Sequence, residues 1–268
     1  MSLRIQNNVE AFNAQRQLNG TTLKLGKAME RLSSGYRINR AADDAAGLAI
    51  SEKLRGQIRG LGQAARNAQD AVSLVQTAEG SLAEVHSMLQ RVRELAVQYR
   101  NGTLSSADKL AIQSEVNQLS SEIDRIGTSV EFNGIRLLNQ AGAITFQVGA
   151  EDGQTISVAT ISLGASVNAA TFSLGGAGTT DLDEIDTAII NVSSQRSVFG
   201  AVQNRLEHTL NSVRTYEENL VASESRIRDA DMAKEMVEFT KLQILQQAGT
   251  SMLAQANLSP QTVLTLLR

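Results

Sequence analysis

AAGLAISEKLRGQIRGLGQAARNAQDAVSLVQTAEGSLAEVHSMLQRVRELAVQY, from Ala45 to Tyr99, decides the fold. It holds no proline, and its apolar residues recur at helical spacing. Leu54, Ile58, Leu61, Ala65, Ala68, Val72 and Val75 follow a 4-3-4-3-4-3 rhythm. Leu82, Val85, Leu89, Val92 and Ala96 continue an adjacent stripe. That is a heptad pattern, which predicts one long helix with a partner along one side. A helix of this length extends ~80 Å at about 1.5 Å per residue. Helices of ordinary globular domains have about a dozen residues, so the expected element is a rod.

Downstream, Asn101-Gly102 ends the helix, and Ser105 or Ser106 can cap the next. Ile112, Val116, Leu119, Ile123, Ile126 and Val130 form its seam. Asn133-Gly134 marks the exit turn. The period then changes to two. Ile144, Phe146 and Val148 alternate with polar neighbours, Thr155 to Val158 alternates again, and Asp152-Gly153 lies between. This predicts a β-hairpin over about 144–160. The uncharged stretch around 165–180 reads as a small surface loop.

From Asp181, with Glu184 three residues on, a second long helix is expected. Its seam is Ile185, Ile189, Val192, Phe199, Leu206, Leu210, Val213, Leu220 and Ile227. After a phase slip near 228–235, Leu242, Leu245, Gly249, Met252 and Ala256 form a last stripe. The head mirrors this tail. Ala11, Leu18, Leu25 and Leu32, with Ala14, Thr21 and Ala28 between them, make a seam of partly small residues. At roughly 25 cal/mol per Å² of buried apolar surface, such a helix is weak alone. Head and tail are expected to pair as antiparallel helices. Residues 1–59 carry ten basic and five acidic side chains, and 217–238 carry seven acidic and three basic, which favours that pairing. The expected fold class is mainly α, a long antiparallel coiled coil or helical-bundle rod with a small β-hairpin.

The chain of 268 residues has no Cys and no Trp, a single proline at position 260, and a formal charge of −3. Absence of Cys excludes a disulfide framework, a thiol nucleophile and Cys-ligated zinc. The near-neutral total argues against nucleic-acid binding. No cleavable leader is visible in residues 1–34. The apolar tail from Leu242 to Leu267 carries too many Gln and Asn residues to insert in a membrane.

Two long motifs then carry a resemblance. LSSGYRINRAADDAAGLAISEKLRGQIRGL, Leu32 to Leu61, resembles the N-terminal signature of bacterial flagellins. SRIRDADMAKEMVEFTKLQILQQAGTSMLAQANLSPQTVLTLL, Ser225 to Leu267, resembles their C-terminal signature. The resemblance covers about 1–163 and 181–268, and the family's large outer domains are missing. It implies an extracellular filament subunit of the bacterial flagellum, exported through the flagellar type III apparatus. The implied organisation is an inner coiled-coil domain from 1–33 and 231–268, ordered on assembly, and a spoke-like connector over 34–44. An outer rod domain follows from 45–164 and 181–230, with 165–180 as a short variable loop. Implied partners are other copies of the chain, an export chaperone, the hook–filament junction protein and the filament cap. A junction adaptor and a soluble immune-receptor ligand are the alternative functions.

The resemblance also points to sites. Leu89, Gln90, Arg91, Glu94, Leu95, Gln98 and Glu115 match positions recognised by the vertebrate Toll-like receptor for flagellin. Leu18, Leu25, Leu32, Leu242, Leu245, Met252 and Leu264 are expected in inner-domain packing or polymerisation. Arg37, Asn39, Arg40, Asp43 and Asp44 are expected to make connector contacts between subunits. No catalytic, cofactor or metal residue is assigned. His86 and His208 are the only histidines, each in a helical stretch, and no HExxH, GxSxG or Walker pattern occurs. No enzyme activity is expected.

Overall fold

A computed structural model describes residues 8–167, 172, 174 and 181–266, with the side chains of 165, 166, 181 and 259–266 excluded. Six helices and two small hairpins follow in order: α1 (Val9–Ser34), α2 (Ala45–Tyr99), α3 (Ser106–Ser129), β1 (Glu131–Phe132), β2 (Ile135–Arg136), β3 (Gly142–Gln147), β4 (Thr155–Thr160), α4 (Leu163–Val167), α5 (Asp181–Arg228) and α6 (Met232–Leu266). The fold is mainly α with small antiparallel hairpins. The chain divides into two compact units, residues 57–218 and the combination of 1–56 with 219–268.

The larger unit holds the deep core. Along α2 the buried seam runs through Leu61, Ala64, Ala68, Ala71, Val75, Ala78, Leu82, Val85, Leu89, Val92 and Ala96, with Leu74 and Leu95 buried beside it. This is one uninterrupted heptad seam, with no shift between stripes. Ala64 and Ala71 are buried, whereas Ala65 and Val72 are only half-buried. The reading through Ala65 and Val72 therefore missed the seam by one position. Alanine permits close approach of the partner helix, which is why it is preferred to the larger Val72. On α5, Ile185, Val192, Phe199, Leu206 and Val213 are buried at intervals of one heptad. On α3, Ile112, Val116 and Ile123 share the core side with Ser120 and Gly127. A Cβ on Gly127 would lie 3.3 Å from Leu163 Cβ, so α3 and α4 meet closely there.

Local chemistry fixes the ends of these elements. Ser105 and Asp108 form a reciprocal capping box at the start of α3. The two-residue turn Asn133-Gly134 has positive φ at both positions, as a tight hairpin between β1 and β2 requires. β3 and β4 pair antiparallel from Gly142↔Thr160 to Gln147↔Thr155, as the alternation predicted. The expected surface loop over 165–180 falls largely outside the described residues. Those of its side chains that are described are not loose: Val167, Phe172 and Leu174 are buried against the core. Gln113 on α3 donates to the Phe172 carbonyl (3.1 Å) and accepts from the Leu174 amide (2.8 Å).

The smaller unit pairs α1 with α6 antiparallel. Asn8 Nδ2 donates to the Ala256 carbonyl (2.7 Å), Gly249 faces Leu18, and Arg31 meets Glu235 (3.5 Å). A Cβ on Gly249 would lie 3.2 Å from Leu18 Cδ1, so the helices approach through a missing side chain. Fully buried apolar residues are few here: Ala28, Ile38, Leu220 and Leu242.

The connector between α1 and α2 is held within the chain. Gly35 takes the left-handed conformation (φ 74°) that ends α1. Tyr36 then bridges to Asp229, with the Arg37 amide on the Arg228 carbonyl (2.7 Å) and the Ala230 amide on the Gly35 carbonyl (2.9 Å). Arg228 lies over the Tyr36 ring (4.8 Å) and pairs with Glu52 (2.8 Å). Each expected connector residue has an intrachain partner. Arg37 donates to the Ile227 carbonyl, Asn39 to Ser34, and Arg40 to Glu30. Asp44 caps α2 through the Gly47 amide. Asp43 accepts the Asn39 and Arg40 amides and pairs with Lys27 (3.2 Å). The Arg40 amide first, and Lys27 next, hold the Asp43 carboxyl below its ordinary value.

Two predictions follow from this division. Phe199→Ala should destabilise the monomer by about 3–5 kcal/mol, read by denaturant unfolding, because it empties the larger core. A change below about 1 kcal/mol would show that Phe199 is not in a packed core. A depressed carboxyl stabilises above its unfolded value, near 3.8, and loses that contribution as pH falls through the lower folded value. Amide exchange at Arg40, corrected for its intrinsic rate, should therefore accelerate on acidification below that value. In Asp43→Ala it should be fast at every pH, and retained protection there would refute the role of this carboxylate.

Candidate assembly surface and charged cluster

The pairing of α1 with α6 uses only one side of each helix. On α1 the half-buried or buried residues are Ala11, Ala14, Leu18, Thr21, Leu25, Ala28 and Leu32. That is the expected seam, and Leu18, Leu25 and Leu32 lie in it. On α6 the facing residues are Leu242, Gln246, Gly249, Leu253 and Ala256. Leu245 and Met252 take no part in the packing of α1 on α6: both are exposed, which leaves only polymerisation as their expected role. The two stripes share Leu242, Gly249 and Ala256 and differ only in the residues between them. The α1 helix lies on the stripe that contains Gln246 and Leu253, and leaves Leu245 and Met252 outward. Leu264 lies outside the described side chains.

A large apolar surface is consequently left over. α1 exposes Val9, Phe12, Leu23 and Met29. α6 exposes Met232, Met236, Val237, Ile244 and Leu258 as well as Leu245 and Met252. Scattered single apolar residues are ordinary on a protein surface, but a helix that is apolar on several sides is a helix with further partners. The signal was present in the sequence, since α6 carries more large apolar residues than one stripe can use.

The larger unit has a different surface feature. Arg91 on α2 pairs with Glu94 (3.0 Å) on the same helix and with Glu115 (3.0 Å) on α3. These carboxylates, Glu115 first, raise the Arg91 guanidinium above its ordinary value. Gln90 is exposed and within 2.9 Å of His86 Nε2, and Gln98 is exposed one turn beyond Glu94. Leu89 (0% exposed) and Leu95 (2%) lie in the core, so neither belongs to the accessible part of the matched set. Leu89 is a seam position, and Leu95 lies beside the seam, one residue before the buried Ala96. The accessible set is Gln90, Arg91, Glu94, Gln98 and Glu115. Arg93 on the neighbouring flank pairs with Asp186 of α5, which lowers that carboxyl.

Among the described residues no group of three His, Asp or Glu side chains is arranged to hold a metal ion. No helix of the described residues is long and apolar enough to cross a membrane. His208 is an exposed helical residue.

Comparison with known proteins agrees with the two motifs. Residues 5–143 match the family model of the bacterial flagellin N-terminal helical region, and residues 182–267 match that of the C-terminal helical region. A flagellin of Halalkalibacterium halodurans is 53% identical, over 98% of this chain and 99% of that protein. A flagellin of Bacillus subtilis is 50% identical, over 99% of this chain and its full length. The crystal structure of Bacillus cereus flagellin aligns at a TM-score of 0.52 and 33% identity, over 59% of this chain and 94% of that one. Two separate helical regions, matched in order at opposite ends of one chain, are what the paired head and tail helices predict, and the chain belongs to the bacterial flagellin family.

Proposed function

We propose that this chain is the structural subunit of a bacterial flagellar filament, a polymer of its own copies that serves as a propeller outside the cell. The observation that carries this reading is the surplus apolar surface on α1 and α6. Their seam is shallow, their outward sides are apolar, and identical neighbours are the simplest cover for both. Membership of the flagellin family supplies the same function from an independent direction.

The finer reading follows the same logic. Residues 1–33 and 231–268 form the inner domain and complete their order only on assembly, since segments that bury too little alone fold on binding. Residues 34–44 act as the spoke, and 45–164 with 181–230 form the outer domain. Before assembly the apolar tail needs an export chaperone to prevent aggregation. The hook–filament junction protein and the filament cap would meet the same helices at the two ends of the polymer. Export in an unfolded form is compatible with a chain that has no Cys and therefore no disulfide to undo.

Receptor recognition is a second role for the outer surface. The exposed Arg91, Glu94 and Glu115 join α2 to α3 in a fixed charge pattern, and Gln90 and Gln98 flank it. Such a cluster contributes little to stability, because water and salt screen exposed ion pairs. It is therefore free to serve recognition.

Deletion of 242–268 should leave a soluble protein that does not polymerise, judged by sedimentation and electron microscopy of the seeded protein. Ordinary filaments from that truncation would refute the assembly role of the tail. For the receptor, Arg91→Ala combined with Glu94→Ala should abolish activation of reporter cells by purified monomer without lowering its thermal midpoint. Unchanged potency would remove this cluster from the recognition surface.

A further inference from the structure

We infer that the methionines on the outward sides of α1 and α6 are an oxidation-sensitive site, through which hydroperoxides switch off subunit assembly. The inference rests on the assembly reading above. The chain has six methionines, no cysteine and no tryptophan, so thioethers are its only sulfur groups and its most readily oxidised side chains. Their distribution is uneven. Met29 is 55% exposed, Met232 48%, Met236 50% and Met252 64%. Met88 packs against the larger core, and Met1 lies outside the described residues. Every well-exposed methionine among the described residues is thus on the α1–α6 unit, amid Leu23, Val237 and Leu245. The antiparallel register seen at Arg31–Glu235 and Leu18–Gly249 puts Met29 level with Met236, so two of the sulfurs sit at one height of the pair.

The chemistry needs a two-electron oxidant of the hydroperoxide class. A sulfur lone pair attacks the terminal (OH) peroxide oxygen, the S–O bond forms as the O–O bond breaks, and after proton transfer water leaves from hydrogen peroxide, or the alcohol from an organic hydroperoxide. The thioether is oxidised to the sulfoxide and the peroxide is reduced. The product is polar and chiral where the methionine was apolar and flexible. A sulfoxide carried into a subunit contact must lose its water, and that penalty opposes assembly. Met88 is shielded, so the larger core survives the same exposure.

The test treats full-length monomer with hydrogen peroxide, maps the added oxygen by peptide mass spectrometry, and then seeds polymerisation. Met29, Met232, Met236 and Met252 should oxidise well before Met88, and the critical concentration should rise by about tenfold or more. A methionine sulfoxide reductase with a dithiol should restore assembly. A variant carrying Met29→Leu, Met232→Leu, Met236→Leu and Met252→Leu should assemble equally with and without peroxide. Preformed filaments should resist oxidation at these four positions, a readout that stands even where the variant assembles poorly. Unaltered polymerisation of fully oxidised monomer would overturn the inference, as would equal oxidation rates in monomer and filament. Failure of untreated monomer to polymerise would instead refute the assembly reading, and this inference with it.

Discussion

The seam between α1 and α6 alternates small side chains with single leucines and buries few of them fully, and the rest of the molecule's behaviour depends on that. Ala11, Ala14, Ala28, Gly249 and Ala256 bring the backbones close but remove little apolar surface from water. Ordering a residue costs about 1–2 kcal/mol of backbone entropy, whereas a fully buried large side chain returns about 1.5–3. Helical hydrogen bonds offset part of the cost, but Leu242 is the one fully buried large apolar residue of the α6 stripe. The larger unit meets the same cost with Leu61, Leu82, Leu89, Phe199 and Leu206. The larger unit has a packed core of its own, whereas the α1–α6 pair keeps much of its apolar surface exposed.

Much of this was legible from spacing. The bounds of α2, the cap at Ser105, the hairpin from β3 to β4 and the heptads of α5 each follow from residues that have one sensible placement. Phe199 and Leu206 leave little choice of seam, because a stripe one position later runs through Gly200 and Glu207 and one position earlier runs into Arg205. The misreadings share a single form. On α2, Leu61, Ala68 and Val75 belong equally to a stripe through Ala65 and Val72 and to one through Ala64 and Ala71. On α6, Leu242, Gly249 and Ala256 belong equally to a stripe through Leu245 and Met252 and to one through Gln246 and Leu253. Hydrophobicity favours Val72 over Ala71 and Leu245 over Gln246, and in the structure the other member of each pair is the more buried. The partner's surface decides which, and one helix read by itself does not contain it.

The candidate sites divide along the same line. A residue type that must face water, such as Arg91 or Glu115, could be placed from the sequence. A leucine beside it could not: Leu89 and Leu95 match a recognition motif, yet Leu89 sits on the buried seam of α2 and Leu95 is buried next to it. The connector shows the reverse case. Arg37, Asn39, Arg40, Asp43 and Asp44 look like a solvated charged run, but each has a defined partner, and Gly35 and the Tyr36–Asp229 bridge set their geometry. Charge complementarity between head and tail, plain in the counts, is realised there sparingly, in pairs such as Arg31–Glu235. Its larger effect is on how the two segments find each other.

A subunit that leaves its own pairing incomplete must still avoid collapse or random association before it meets its neighbours. The sequence manages this by interleaving. Gln243, Gln246, Gln247 and Gln255 stand among the apolar residues of α6, so no single side of the helix is uniformly greasy. Glutamine hydrogen-bonds water when exposed and can pair with another amide or a backbone carbonyl when covered. A charged residue in those places would penalise burial heavily, and a leucine would promote promiscuous aggregation. The uncharged stretch from 242 to 267 therefore works as a compromise. It is polar enough to be carried through water and neutral enough to be buried without an unpaired charge.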